Sequence, residues 1–223
     1  MKSIDEYLQL TDFCDFNHPN IISKAKELTI EDKTPKEMAL SIFQFVRDQI
    51  KFMMNYEDDK ASDTLAKGYG DCGTKTNLQV ALLRSINIPA RFHFVSLYKK
   101  SIKGIVSKLF YLLSPKVIPY HPWCECYLSD KWIACDTLLD KPLVNNIYKN
   151  GIFTKEDIKT IDWDGEHDLN TMTNWIVEDK GIYSSLDEII NLEEISTKIP
   201  IRLVSFLFNH SNNCTEKLRN ERD

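Results

Sequence analysis

Hydrophobic positions recur at two spacings along the chain and divide it into helices and strands. In residues 34–51, Met38, Ile42, Phe45, Val46 and Ile50 form one apolar stripe at helical spacing. Thr34 is placed as its N-cap, with Pro35 at the first helical position and Glu37 at the third, so the spacing predicts a core-facing helix. Residues 20–28 predict a shorter helix before it. Residues 74–86 carry Leu78, Val80, Ala81 and Leu82, enough for a helix buried on most sides, and Pro89 stops it because proline disfavours helical geometry just before it. Residues 90–97 then alternate as a strand. In residues 101–113 the apolar positions Ile102, Ile105, Val106, Leu109 and Leu113 fall between lysines at helical spacing, which predicts a basic amphipathic helix ending near Ser114-Pro115.

Residues 121–128 and 131–136 are short runs joined by Ser129-Asp130, the signal of a two-residue hairpin. Period-2 alternation puts His121, Trp123, Glu125 and Tyr127 on one face and Cys124, Cys126 and Leu128 on the other. The tail is polar and acidic, with a turn at Trp163-Asp164-Gly165 and helical patterns near 186–195 and 200–208. The expected organisation is a core over 1–144, with 145–223 as an extension packed on it.

Composition narrows the class. The chain has 223 residues, 43% hydrophobic and 27% charged, which is enough for a sizeable core and excludes a disordered chain. A net charge of −5, from 28 bases and 33 acids, argues against a nucleic-acid partner. That charge is uneven, because no Asp or Glu lies between Asp71 and Glu125. Eight bases do: Lys75, Arg84, Arg91, Lys99, Lys100, Lys103, Lys108 and Lys116. No run approaches the roughly 20 apolar residues of a membrane span, and the start of the chain has no apolar export segment. A cytoplasmic location with six reduced cysteines is the expectation.

Cys72 differs from the other cysteines because it lies where the turn 68–73, rich in glycine, enters a helix. Unpaired N–H groups and the dipole of a helix N-terminus favour a thiolate there, and Lys75 one turn along is expected to push the same way. His121 opens the hairpin and Asp136 closes it, so the two strand ends lie side by side. Asp136 can then reach the ring nitrogen of His121 that does not face the thiol, the arrangement of a nucleophile, a base and an orienting carboxylate.

Three blocks carry a resemblance to the transglutaminase-like superfamily: Gly70-Asp71-Cys72-Gly73-Thr74-Lys75 through Ile88-Pro89-Ala90-Arg91, His121-Pro122-Trp123-Cys124-Glu125-Cys126-Tyr127, and Lys131-Trp132-Ile133-Ala134-Cys135-Asp136. The likeness runs from about residue 13 to 140. It includes Asp15-Phe16-Asn17-His18-Pro19 and Ala61-Ser62-Asp63-Thr64-Leu65, and Trp163-Asp164-Gly165-Glu166-His167-Asp168 resembles a downstream segment of some members.

The resemblance implies an α+β, papain-like fold, with the nucleophile at a helix N-terminus packed on an antiparallel sheet that carries the histidine and aspartate. It implies Cys72 as nucleophile, His121 as base and Asp136 as orienter in a cysteine-dependent acyl transfer on amide bonds, by a protease, amidase or transglutaminase-like enzyme working through a thioester. The expected partner is a peptide or protein substrate, drawn by the basic stretch if acidic, and no cofactor is expected. Alternatives are a non-catalytic peptide- or protein-binding module and, among enzymes, an arylamine acetyltransferase.

The chain departs from the animal transglutaminases in having no Trp before Trp123. The N–H of Cys72 supplies one oxyanion donor. Tyr56, Gln49 and Tyr69 are open candidates for a second, and Trp123 is a further candidate for binding substrate. A zinc site of Cys124, Cys126, Cys135 and His121 fits poorly, since Cys-x-Cys on a strand lacks the two-residue spacing of zinc knuckles, and core thiols are expected instead. His93 is expected to be packed or solvent-facing, His18 a turn residue and His167 a candidate for shaping the pocket. The basic amphipathic segment, lying between the Cys72 and His121 blocks, is either a solvated face or a lid.

Overall fold

The computed structural model describes residues 3–55, 59–190 and 201–221. Local capping sets the first helices. His18 caps α1 (Pro19–Thr29) by accepting the Asn20 N–H at 3.2 Å. At α2 (Pro35–Gln49), Thr34 accepts the Glu37 N–H at 3.2 Å and Glu37 Oε2 accepts the Thr34 N–H at 2.9 Å. Strand β1 (Lys51–Phe52) follows and pairs in parallel with β2 (Tyr69–Gly70), with α3 (Ala61–Lys67) between them. Gly70 is required here, since a Cβ would collide with Thr74 Oγ1 and come within 3.2 Å of Thr64 Cγ2. Helix α4 (Cys72–Ser85) then begins under the cap of Asp71, which accepts the Thr74 N–H at 2.9 Å, and every residue from Thr74 to Arg84 is buried.

Four strands form one antiparallel sheet. They are β3 (Ala90–Tyr98), β4 (Val117–Leu128), β5 (Lys131–Ala134) and β6 (Ile176–Tyr183), in the order β5-β4-β3-β6. The β4–β5 turn is Ser129-Asp130, both at positive φ (49° and 62°), the backbone that a two-residue hairpin needs. Register then assigns the faces. Phe92, Phe94, Cys124, Cys126 and Ile133 pack in a core with residues of α1, α2 and α4. On the other face Val95, Trp123 and Ala134 pack in a second core with Leu139.

Between β3 and β4 the expected single amphipathic helix over 101–113 is broken. A short 3-10 turn (Lys99–Ile102) leads to Gly104, whose φ is +80°, and a Cβ there would lie 2.8 Å from Ile152 Cγ2. Ser107 then starts a separate helix, α5 (Lys108–Leu113), by accepting the Phe110 N–H at 3.2 Å. Helix α6 (Lys141–Lys149), capped by Asp140, adds Leu143, Val144 and Ile147 to the second core. Helix α7 (Leu186–Ile190) covers the start of the pattern at 186–195, and the rest of that pattern lies outside the described residues. Helix α8 (Ile201–Arg219) is far longer than the 200–208 pattern suggested. No helix among the described residues is long and apolar enough to cross a membrane.

Helix α8 is tied to the body through backbone atoms of two distant segments. Asn212 accepts the Met54 N–H at 2.7 Å and donates to the Met54 carbonyl at 2.9 Å. Ser211 accepts the Ser107 N–H at 3.2 Å, and Thr215 donates to the Ile105 carbonyl at 2.9 Å. Arg219 donates to the Phe52 carbonyl at 2.8 Å and forms a buried ion pair with Asp140 at 2.9 Å. Removing one partner of a buried pair leaves an uncompensated charge, so Arg219→Ala is expected to cost about 3–5 kcal/mol in urea unfolding. A loss under about 1 kcal/mol would mean that the pair does not anchor α8.

Candidate active site

The site is assembled along one face of α4. Positions i, i+4 and i+7 of a helix share a face, and in α4 these are Cys72, Thr76 and Gln79. Thr76 Oγ1 donates to the Pro122 carbonyl at 3.4 Å, beside His121. Gln79 Nε2 donates to the Cys135 carbonyl at 3.0 Å, and its Oε1 accepts from Thr137 Oγ1 at 3.0 Å. The two residues flanking Asp136 are thus held by one side chain. Cys135 N–H donates to the Cys124 carbonyl at 2.8 Å, which carries the β4–β5 pairing one step further and sets Asp136 beside Trp123, diagonal to His121.

Asp136 is 3% exposed, and both of its oxygens accept hydrogen bonds. Oδ1 accepts the Leu138 N–H at 2.9 Å, and Oδ2 accepts the Thr171 N–H at 3.1 Å together with the Thr171 hydroxyl. Thr171 is delivered by the segment after Leu169, which bridges Cys135 in parallel and accepts the Asp136 N–H at 3.1 Å. His121 is also 3% exposed, and its Nε2 is buried without a hydrogen-bond partner. The carboxylate therefore acts on the ring through its charge, not through the hydrogen bond that the hairpin suggested. Three of its roughly four lone-pair positions are used, and one is left.

Cys72, half-buried, and His121 line the same cavity of about 280 Å³. Its walls are mainly apolar: Phe52, Met54, Leu97, Ile118, Leu138 and Met172. The segment between β3 and β4 forms one side through Ser101, Ile102, Phe110, Ser114 and Pro115. Gln49, exposed at the end of α2, is not in the lining, nor is half-buried Tyr69. Tyr56 lies outside the described residues. Trp123 is buried behind the lining, with its ring stacked on His93 at 4.4 Å.

His93 is packed, bonded to Glu125 at 2.8 Å and to Asp179 at 2.9 Å, and these carboxylates push it up against the effect of its burial. His167 is exposed on Asp164, away from the cavity. Cys124, Cys126 and Cys135 are core thiols, with Cys135 Sγ 3.9 Å from Cys126 Sγ, whereas His121 falls on the opposite face of β4 from Cys124 and Cys126. Gln79 and Thr171 escaped sequence reasoning. For Thr171 the nearest signal is the Trp163–Asp168 block just before it.

Burial decides the protonation of the pair. It pushes the Cys72 thiol well above its ordinary range, and the charges of Asp71 and Asp136 add to this, while the N–H groups of Gly73 and Cys72 oppose it. Burial also lowers His121, against the pull of Asp136. Both shifts favour the neutral thiol and the neutral ring, the opposite direction to the expected thiolate. Lys75 does not supply the expected field either. Its side chain is 1% exposed and brought down to about 7 by burial, and its Nζ donates to the Ile50 carbonyl at 2.6 Å. Arg84 holds the Ala90 carbonyl at 2.8 Å and Arg91 holds Glu125 at 2.7 Å, so both bases serve the fold.

The family model of the transglutaminase-like superfamily matches residues 22–137. No curated protein matches the chain. Among solved structures, one from Cytophaga hutchinsonii, named provisionally as a cysteine protease, is 19% identical over 63% of this chain and 44% of its own, with a TM-score of 0.49. The periplasmic domain of TgpA from Pseudomonas aeruginosa is 19% identical over 66% and 48%, with a TM-score of 0.41. Red sea bream transglutaminase is 18% identical over 61% and 29%, with a TM-score of 0.36. The chain spans less than half of each of these structures.

A neutral resting pair has a measurable signature. Alkylation of Cys72 by a small neutral reagent, followed by mass spectrometry of its peptide, should rise with pH through and beyond about 8.5, the ordinary thiol value. A rate already level below pH 7 would instead show a resting thiolate.

Proposed function

This chain belongs to the transglutaminase-like superfamily, and from that membership we propose that it is a thiol-dependent acyl-transfer enzyme acting on amide bonds of a peptide or protein, as a protease or amidase. The observation that carries the reading is the opening of Cys72 and His121 onto one cavity, with Asp136 buried behind them. His121, held neutral by burial, takes the proton from Cys72 as sulfur attacks the carbonyl carbon and the C–S bond forms. The oxyanion meets the Cys72 N–H at the start of α4. The imidazolium then gives its proton to the leaving amine as the C–N bond breaks. Water or an amine attacks the thioester with His121 again as base. The Asp136 charge favours the imidazolium more strongly in this buried setting than it would in water.

Lys100, Lys103, Lys108 and Lys116 are exposed on the segment beside the cavity, and an acidic flank of the substrate would meet them there. A KM that rises with ionic strength checks this contact.

The central test is acylation of Cys72 by an activated ester, read by intact mass. Cys72→Ala should give no adduct or turnover, and His121→Ala should slow acylation by about 10²–10⁴-fold. Because the His121 pKa is depressed, kcat/KM should keep its base form down to about pH 6.5 and fall only below that. Turnover surviving in Cys72→Ala would overturn the reading, and peptide binding without any acylation would favour a binding module.

A further inference from the structure

We propose that the acyl residue accepted here carries a bulky apolar side chain, of the size of leucine or phenylalanine, in preference to an acidic or carboxamide one. The proposal rests on Cys72 being the nucleophile. The chemistry of the lining carries it. Phe52, Met54, Leu97, Ile118, Leu138 and Met172 supply the walls, and among the described residues that line the cavity there is no Lys, Arg, Asn or Gln. A carboxylate entering this space would lose its water with no Lys or Arg among the described lining residues to replace it, and Asp71 is itself one of those residues.

Each of the bases that sequence places near the site is directed elsewhere or solvated. Lys75 is held by the Ile50 carbonyl, Arg91 by Glu125, and Lys99 by the Tyr111 and Ser114 carbonyls at 3.2 Å. The hydroxyl of Ser101 is buried at the cavity with no partner, and as a neutral group it suits a peptide amide and cannot neutralise a carboxylate. Size agrees with this. An apolar protein cavity of ~150 Å³ admits benzene, so 280 Å³ accommodates an isobutyl or benzyl group beside the carbonyl. Any attraction of acidic sequence by the exposed lysines is thereby confined to residues outside the cavity.

The test is a set of N-acetyl-aminoacyl acyloxymethyl ketones with Gly, Leu, Phe, Gln or Glu side chains. In each the Cys72 sulfur displaces the same carboxylate leaving group, and the rate constant is read from the mass of the Cys72 peptide. Leu and Phe probes should exceed Gly by about 10–100-fold, with Glu no faster than Gly. A Gln or Glu probe as fast as Leu overturns the proposal while leaving the thiol chemistry intact. Ile118→Lys, which puts a cation into the half-buried edge of the lining, should narrow the gap between Leu and Glu. An unchanged gap counts against the cavity as the selecting element.

If iodoacetamide labels Cys72 and no ketone does, the acyl-transfer reading fails. The cavity is then judged alone by the thermal shift of Cys72→Ala with N-acetyl-leucinamide against N-acetyl-glutaminamide. A rise in Tm with the leucine compound only supports the apolar assignment, and equal shifts overturn it.

Discussion

Gln79 holds together what the site needs. Its side chain is 1% exposed, and both ends of its amide are used, the nitrogen on the Cys135 carbonyl and the oxygen on the Thr137 hydroxyl. It also stands two turns from Cys72 on a helix buried nearly all round, so α4 cannot slide or rotate without breaking this clamp. An unmade hydrogen bond of this kind costs about 1–3 kcal/mol for each buried group left alone. The spacing between the thiol and the carboxylate is thereby set by helix geometry, and the longer contact from Thr76 to Pro122, at 3.4 Å, brings the His121 strand into the same frame. Three chain segments separated by up to 65 positions share one rigid reference.

Burial is the second constraint, and it overrides the charge pattern. An acid-free stretch with eight bases suggests a strong positive field around Cys72. Yet a charge that is desolvated, as Lys75 is, or spent on carbonyls, as Arg84 is, adds little field at the sulfur. The carboxylates matter more because they are close: Asp71 as the cap of α4 and Asp136 behind the ring both disfavour a resting thiolate. In the proposed reaction this is no handicap. A neutral pair avoids a buried ion pair in the free enzyme, and charge separates only as the oxyanion forms at the helix end, where donors already point.

What sequence could reveal follows the range of the interactions. The α2 cap, the hairpin turn and the face alternation of β4 are local, and Thr34, Glu37, Ser129 and His121 sit where their patterns predicted. The amphipathic stripe over 101–113 is local too, but Gly104 and Ser107 interrupt it, because the chain there must turn against Ile152. Strand β6 was hidden for a different reason. Its Glu178, Asp179 and Lys180 break apolar alternation at an exposed sheet edge, and only pairing with β3 defines it. Thr171 and Gln79 were invisible as partners of the Asp136 region, since their contacts span 35 positions and 56 to 58 positions.

The same distinction between backbone and side-chain contacts bears on how this site is free to vary. Helix α8 grips the two walls of the cavity through main-chain atoms: the N–H and carbonyl of Met54, the carbonyls of Phe52 and Ile105, and the N–H of Ser107. None of these bonds depends on which side chain Phe52 or Met54 presents to the cavity. Side chains also join the lining to α8: the rings of Phe110 and Phe208 meet with centroids 5.5 Å apart, and Leu218 packs in one core with Phe52, Leu97 and Leu138. Phe52 and Met54 can therefore be exchanged for residues of similar volume while these main-chain bonds to α8 stay closed. Displacing the segment between β3 and β4 from α8, by contrast, must break the Ser107 and Ile105 bonds whatever the lining is. The side chains that line the cavity and the main-chain atoms that fix its walls to α8 are thus separate sets of atoms.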